Sequence, residues 1–113
     1  MTDATNEPTA PTRLDRLRAM LEAEPDDGFL LYGIAQECQK RGRFDEAIAF
    51  YDRAIAGDPK QCYAFFHKAK TLEQARRRGE IADVLRAGLA RARAVGDFKA
   101  ASEIEGFLDD VTG

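Results

Sequence analysis

The feature that most constrains this chain is an internal recurrence at 34 residues: Pro25 returns as Pro59, Leu31 as Phe65, Ala35 as Ala69 and Cys38 as Leu72. Self-similarity at a period of roughly 20–50 residues marks a supersecondary unit that cannot cover its own apolar face and must stack on a copy. Inside Pro25–Pro59 the apolar residues fall at helical spacing twice, first Leu31, Ile34, Ala35 and Cys38, then Phe44, Ala47, Ile48, Tyr51, Ala54 and Ile55. Gly42 separates the two runs and supplies the turn. Ala47 and Ala54 keep the crossing of the two helices narrow, since larger side chains there would force them apart. The spacing predicts an all-α protein built from helix-turn-helix units.

The rest of the chain reads outward from that unit. Residues 1–12 are polar and contain Pro8 and Pro11, so they are expected to be a disordered N-terminal tail. Thr12 and Asp15 form a capping box that opens a first helix through Leu14, Leu17 and Leu21, and residues 13–25 read as a half-repeat cap. Residues 26–59 are repeat one, with Asp26 or Asp27 capping its first helix. Residues 60–95 are a divergent repeat two: Lys68 stands in an apolar slot, and Arg76 stands where glycine is expected, with Gly79 following. That displacement predicts about three extra residues, a helix from Lys60 to about Arg77, and a return helix with Ile81, Val84, Leu85 and Leu89 inward. Pro59 is pre-set for the first turn of the Lys60 helix. The glycines read as helix punctuation. Gly96 and Asp97 introduce a last helix over 96–111, whose acids suit a solvated end cap.

Composition narrows the classes. The 113 residues suffice for one domain with a modest core. Charge is uneven: residues 1–59 carry 7 Lys/Arg against 12 Asp/Glu, residues 60–93 carry 9 against 3, and residues 94–113 carry 1 against 5. Cys38 and Cys62 form no CxxC pair and lack the density of a disulfide scaffold, so reduced thiols in a cytoplasmic protein are expected. No apolar run approaches the roughly 20 residues of a membrane span, and no secretory signal layout opens the chain.

Taken together, Leu31-x2-Ile34-Ala35-x2-Cys38, Ala47-x3-Tyr51-x2-Ala54 and the closing Pro59 resemble the tetratricopeptide repeat family over residues 14–111. Leu31, Ala35 and Cys38 stand where that family usually has tryptophan, glycine and tyrosine. The resemblance implies a short right-handed α-solenoid of about six helices with capping helices at both ends. It also implies a concave face that holds a peptide or helix, here presenting Phe29, Tyr32, Gln36, Gln39, Tyr63, Phe66, His67, Lys70 and Glu73. Phe29, Tyr32, Tyr63 and Phe66 would form an aromatic anchor on that face, or would complete the core against a capping helix. One subgroup of the family grips carboxylates with lysine and asparagine; the corresponding slots hold Tyr32, Gln36, Phe66 and Lys70, and only Lys70 could serve.

Other constellations carry less. His67 follows Cys62 by five residues, on a different helix face, and no third ligand accompanies them, so no metal site or cofactor is expected. His67 with Glu73 or Glu37 is the one acid–base pairing on offer, without a nucleophile or oxyanion donor beside it. Arg76, Arg77, Arg78, Arg86, Arg91 and Arg93 form a basic region whose arginines do not interleave with the aromatics, which argues against nucleic acid. The expected function is a non-enzymatic protein–protein adaptor. The runner-up is a self-associating module, a homodimer included, pairing through the end faces of the stack.

Overall fold

The structure, a computed structural model, describes residues 10–113. Of the expected tail, residues 1–9 lie outside the described residues. Six α-helices follow among the described residues: α1 Arg13–Ala23, α2 Gly28–Lys40, α3 Phe44–Gly57, α4 Cys62–Gln74, α5 Ile81–Val95 and α6 Phe98–Thr112. One 3-10 turn occupies Arg78–Glu80, and the described residues contain no strand. The protein is all-α, as expected. No helix among the described residues is long and apolar enough to cross a membrane.

Three of the six helices open on a capping side chain. The Thr12 hydroxyl accepts from the Asp15 N–H at 3.1 Å while the Asp15 carboxylate accepts from the Thr12 N–H at 3.0 Å, closing the capping box of α1. Asp27, rather than Asp26, accepts from the Leu30 N–H at 3.0 Å, and Asp97 accepts from the Ala100 N–H at 3.1 Å. Pro59 does not enter α4; it shares a turn with Lys60, and the helix begins at Cys62.

Three helices end alike. After α2, α4 and α5 the chain turns through a left-handed residue, Gly42 (φ 74°), Arg76 (φ 61°) and Gly96 (φ 77°). The next N–H then reaches back five residues: Arg43 to the Cys38 carbonyl at 2.9 Å, Arg77 to Leu72 at 2.8 Å and Asp97 to Ala92 at 2.8 Å. This corrects the expected Lys60–Arg77 helix. Arg76 adopts the conformation that Gly42 adopts one period earlier, because two carbonyl bonds and the packing of α5 hold it there. The register is therefore unbroken: Ala47, Tyr51 and Ala54 of α3 correspond to Ile81, Leu85 and Gly88 of α5. The extra length sits elsewhere. One period beyond Gly57 is position 91, and α5 continues to Val95, about one further turn.

Small residues set the helix spacing. Ala47 and Ala54 are fully buried between α2 and α3. A Cβ on Gly88 would lie 2.5 Å from the Phe65 Cβ, and one on Gly33 would lie 3.4 Å from a Leu17 methyl. These two glycines are contact points between helices, not punctuation. Ile81, Leu85 and Leu89 are buried as expected, and Val84 is half-buried. Lys68, in its anomalous apolar slot, is partly covered and pairs with Asp52 of α3 at 2.6 Å.

The core divides into two clusters. Leu14, Ile34, Ala35, Cys38, Ala47, Tyr51 and Ala64 hold α1 to α4 together. The second joins Ile48 to Cys62, Leu72, Leu85, Ile104 and Phe107. Both cysteines are free and buried. Each helix packs on the next in sequence, and α4 also touches α2 and α6. The result measures 54 × 30 × 19 Å with a radius of gyration of 16.1 Å. A compact domain of this length would have about 13 Å, so the molecule is longer in one direction than in the other two.

Candidate partner-binding face

Because α4 touches α2 on one side and α6 on the other, these three helices share a face. A row of rings crosses it. Tyr32 of α2 meets His67 of α4 edge-on at 5.7 Å, His67 meets Phe66 at 5.6 Å, and Phe66 meets Phe107 of α6 at 5.4 Å. Beneath the row the buried Tyr51 of α3 lies nearly parallel to His67 at 6.2 Å and edge-on to Tyr32 at 6.0 Å. Edge-to-face and offset pairs of this kind hold rings in fixed orientations.

Beside Tyr32 and His67 a recess of about 320 Å³ is lined by Gln36, Gln39, Lys40, His67 and Gln74. The Tyr51 hydroxyl donates to the Gln39 Oε1 at 2.6 Å, and the Gln39 amide nitrogen donates to the Gln74 Oε1 at 2.9 Å. This chain from buried phenol to surface amide ties α2, α3 and α4 together, and the Gln74 amide nitrogen and the Gln36 amide make no hydrogen bond to a side chain among the described residues. At the far side Lys70 reaches over the α6 ring, its Nζ 4.7 Å from the centre of Phe107 and 5.8 Å from Phe66.

The electrostatics keep the row neutral. Burial pushes the Tyr32 phenol up, and burial pushes Tyr51 further. Burial, with Lys70 nearby, pulls His67 down, so its ring is uncharged at neutral pH. The Glu103 carboxylate facing the Tyr63 hydroxyl favours the phenol's neutral, donating form and pushes it up to about 12.

Of the nine expected face residues, the structure brings Tyr32, Gln36, Gln39, Phe66, His67 and Lys70 together. Tyr63 is half-buried beside Glu103 of α6, and Glu73 is exposed, 4.0 Å from Lys70. Phe29 stands apart at the start of α2, 76% exposed and outside the ring row. The choice between exposed anchor and core filler resolves ring by ring: Tyr32 and Phe66 are half-covered by Tyr51 and Phe107, and Phe29 is open. The alignment along 34 residues did not reveal Phe107, Glu103 and Asp110. A 36-residue step from Cys62 to Phe98 would have found the two acids, since it puts Glu103, Gly106 and Asp110 in the slots of His67, Lys70 and Gln74, while Phe107 falls in the slot of the buried Thr71 and would still have read as core.

Two other expectations are changed. Glu37 is no partner for His67: it lies on the side of α2 that faces α1, 4% exposed, accepting from Arg41 and Arg13 at 2.7 Å and pairing with Lys40 at 3.4 Å. The hydrogen bond from Arg41, with those from Arg13 and Lys40, holds its carboxyl at about 2 despite burial. Half of the six arginines of the basic region are also engaged in ion pairs. Arg77 binds Glu80 at 2.8 Å and Asp45 at 3.2 Å, Arg86 binds Asp83 at 3.2 Å, and Arg93 binds Glu105 at 2.9 Å.

The fold has a solved counterpart. It is similar to the solution structure of protein BPP2914 from Bordetella parapertussis, with a TM-score of 0.77 over 91% of this chain and 90% of that one, at 26% identity. No protein-family model and no curated protein matches the chain.

Proposed function

We propose that this protein is a cytoplasmic, non-enzymatic adaptor of tetratricopeptide type that docks a peptide or helix of another protein on the α2–α4–α6 face. The observation that carries this reading is the continuous row Tyr32–His67–Phe66–Phe107, which spans three helices, with Tyr32, His67 and Phe66 half-exposed and Phe107 buried at its end. Partly exposed rings bury much area on contact and lose little rotamer freedom, and the amide recess beside them offers donors and acceptors for an incoming backbone. The elongated stack of short-turned helices, the recurring left-handed helix ends and the small residues at each crossing support the solenoid reading.

The test is affinity capture from a host lysate with wild type, Tyr32→Ala/Phe66→Ala and Gln36→Arg. The last variant fills the recess from its half-exposed rim without removing a core atom, so its melting temperature should stay within about 2 °C of wild type. A protein retained by wild type and lost in both variants is the expected result. Equal capture by all three would end the groove reading. A second reading, self-association through the end faces, is favoured by Phe98, which opens α6 and is 72% exposed, with Val95 and Val111 also open.

A further inference from the structure

Resting on the groove reading above, we propose that the α4–α6 end of this face is a socket for a cationic side chain, so that the docking segment is basic at that end. The socket is lined by Phe66, Lys70, Glu103, Gly106, Phe107 and Asp110. Its walls are two aromatic rings edge-to-face at 5.4 Å, and its rim carries two carboxylates. Ring faces are electron-rich and attract an ammonium or guanidinium, while a carboxylate at the rim orients it.

The molecule already fills this socket with a cation of its own. The Lys70 Nζ lies over both rings and, among the described residues, finds a carboxylate only in Glu73 at 4.0 Å. Its side chain is 45% exposed, and a lone exposed pair at that distance holds it weakly. A partner's arginine would replace it to advantage, because a planar guanidinium stacks on rings and forks to a carboxylate in one geometry. Gly106 leaves the entrance open, since a Cβ there would meet nothing within 4 Å.

The charge balance decides the sign of the partner. An acidic segment could use Lys70, with Arg78 beyond it beside Glu73 and Asp110, but it would face three carboxylates, Glu73, Glu103 and Asp110, against those two cations. Neither Glu103 nor Asp110 has an ion-pair partner among the described residues, whereas Glu105 on another side of α6 is paired with Arg93. A basic segment gains two carboxylates that have no ion pair among the described residues, Glu103 facing only the Tyr63 hydroxyl, and releases Lys70 to solvent. Charge complementarity therefore favours the basic partner.

The probe is a fluorescein-labelled amphipathic helical peptide with leucines on one face and arginines flanking them, alongside a copy with glutamate at each arginine. Anisotropy and backbone amide shifts report binding. The arginine probe should bind saturably, with shifts at Gly106 and at Tyr32 and His67. Lys70→Ala should tighten it about three- to tenfold, and Glu103→Gln/Asp110→Asn should weaken it at least tenfold. Gly106→Leu blocks the entrance without touching a charge and should abolish binding while circular dichroism stays that of wild type. Weaker binding in Lys70→Ala, or preference for the glutamate probe, would overturn the socket. If the glutamate probe binds and shifts Tyr32 and His67, the groove reading stands and the socket fails. No saturable shift with either probe counts against both.

Discussion

Arg76 shows what one residue concedes to its surroundings. A side chain in the left-handed region costs about 1–2 kcal/mol, and Gly42 avoids that cost at the equivalent turn. Arg76→Gly should therefore raise stability by roughly 0.5–1 kcal/mol, partly offset by the freer unfolded chain, and urea denaturation would register it as a higher midpoint. Glu37 concedes the reverse. Its carboxyl is held at about 2 against an ordinary 4.5, so the folded form binds its proton less readily than the unfolded form. The stability it contributes is present above 4.5 and is lost as pH falls toward 2. Glu37→Gln should cost about 1–2 kcal/mol at neutral pH, and the gap from wild type should narrow at pH near 3. A gap of equal size at both pH values would mean that the charge is not what holds α1 to α2.

At the level of elements, helix spacing is set where one side chain is missing. A glycine in a helix interior normally costs about 1 kcal/mol relative to alanine, and Gly106, with open space around its Cα, should follow that rule when changed to alanine. Gly88 should reverse it. A methyl there would press on Phe65 at 2.5 Å and pry α5 from α4, so Gly88→Ala should destabilise by about 1–3 kcal/mol. Thermal unfolding of the two variants side by side checks the contrast; a rise in both would show that α5 shifts freely. Ala47→Leu belongs with Gly88→Ala, for the same reason at the α2–α3 crossing. The elements themselves were legible in the sequence, since Thr12, Asp27 and Asp97 announce their helices with capping side chains. The end of α4 was not: Arg76 has no intrinsic preference for its conformation, and only the Leu72 carbonyl and the packed start of α5 impose it.

For the whole molecule, the extended shape leaves two ends as well as one broad face. The α2–α4–α6 face is favoured as the working surface because its rings are fixed by neighbours, whereas Phe98 at the end is simply uncovered. Light scattering across concentration should return the mass of one chain, 12.5 kDa. A mass that doubles with concentration and falls back in Phe98→Asp would move self-association to first place.

The sequence by itself determined the helices and most of their inward residues, because helical periodicity, capping residues and a 34-residue recurrence are local properties, but it ran α4 on to Arg77 where the helix stops at Gln74. It also determined most of the candidate face, since residues one period apart land on the same side of successive helices. Only tertiary structure decided which rings stay open. Tyr32 and Phe66 are half-covered by residues from α3 and α6, Phe29 is covered by none, and two of the three carboxylates around Lys70, Glu103 and Asp110, come from a helix outside the period. Exposure and local charge depend on what packs alongside, and that information lies dozens of residues away along the chain.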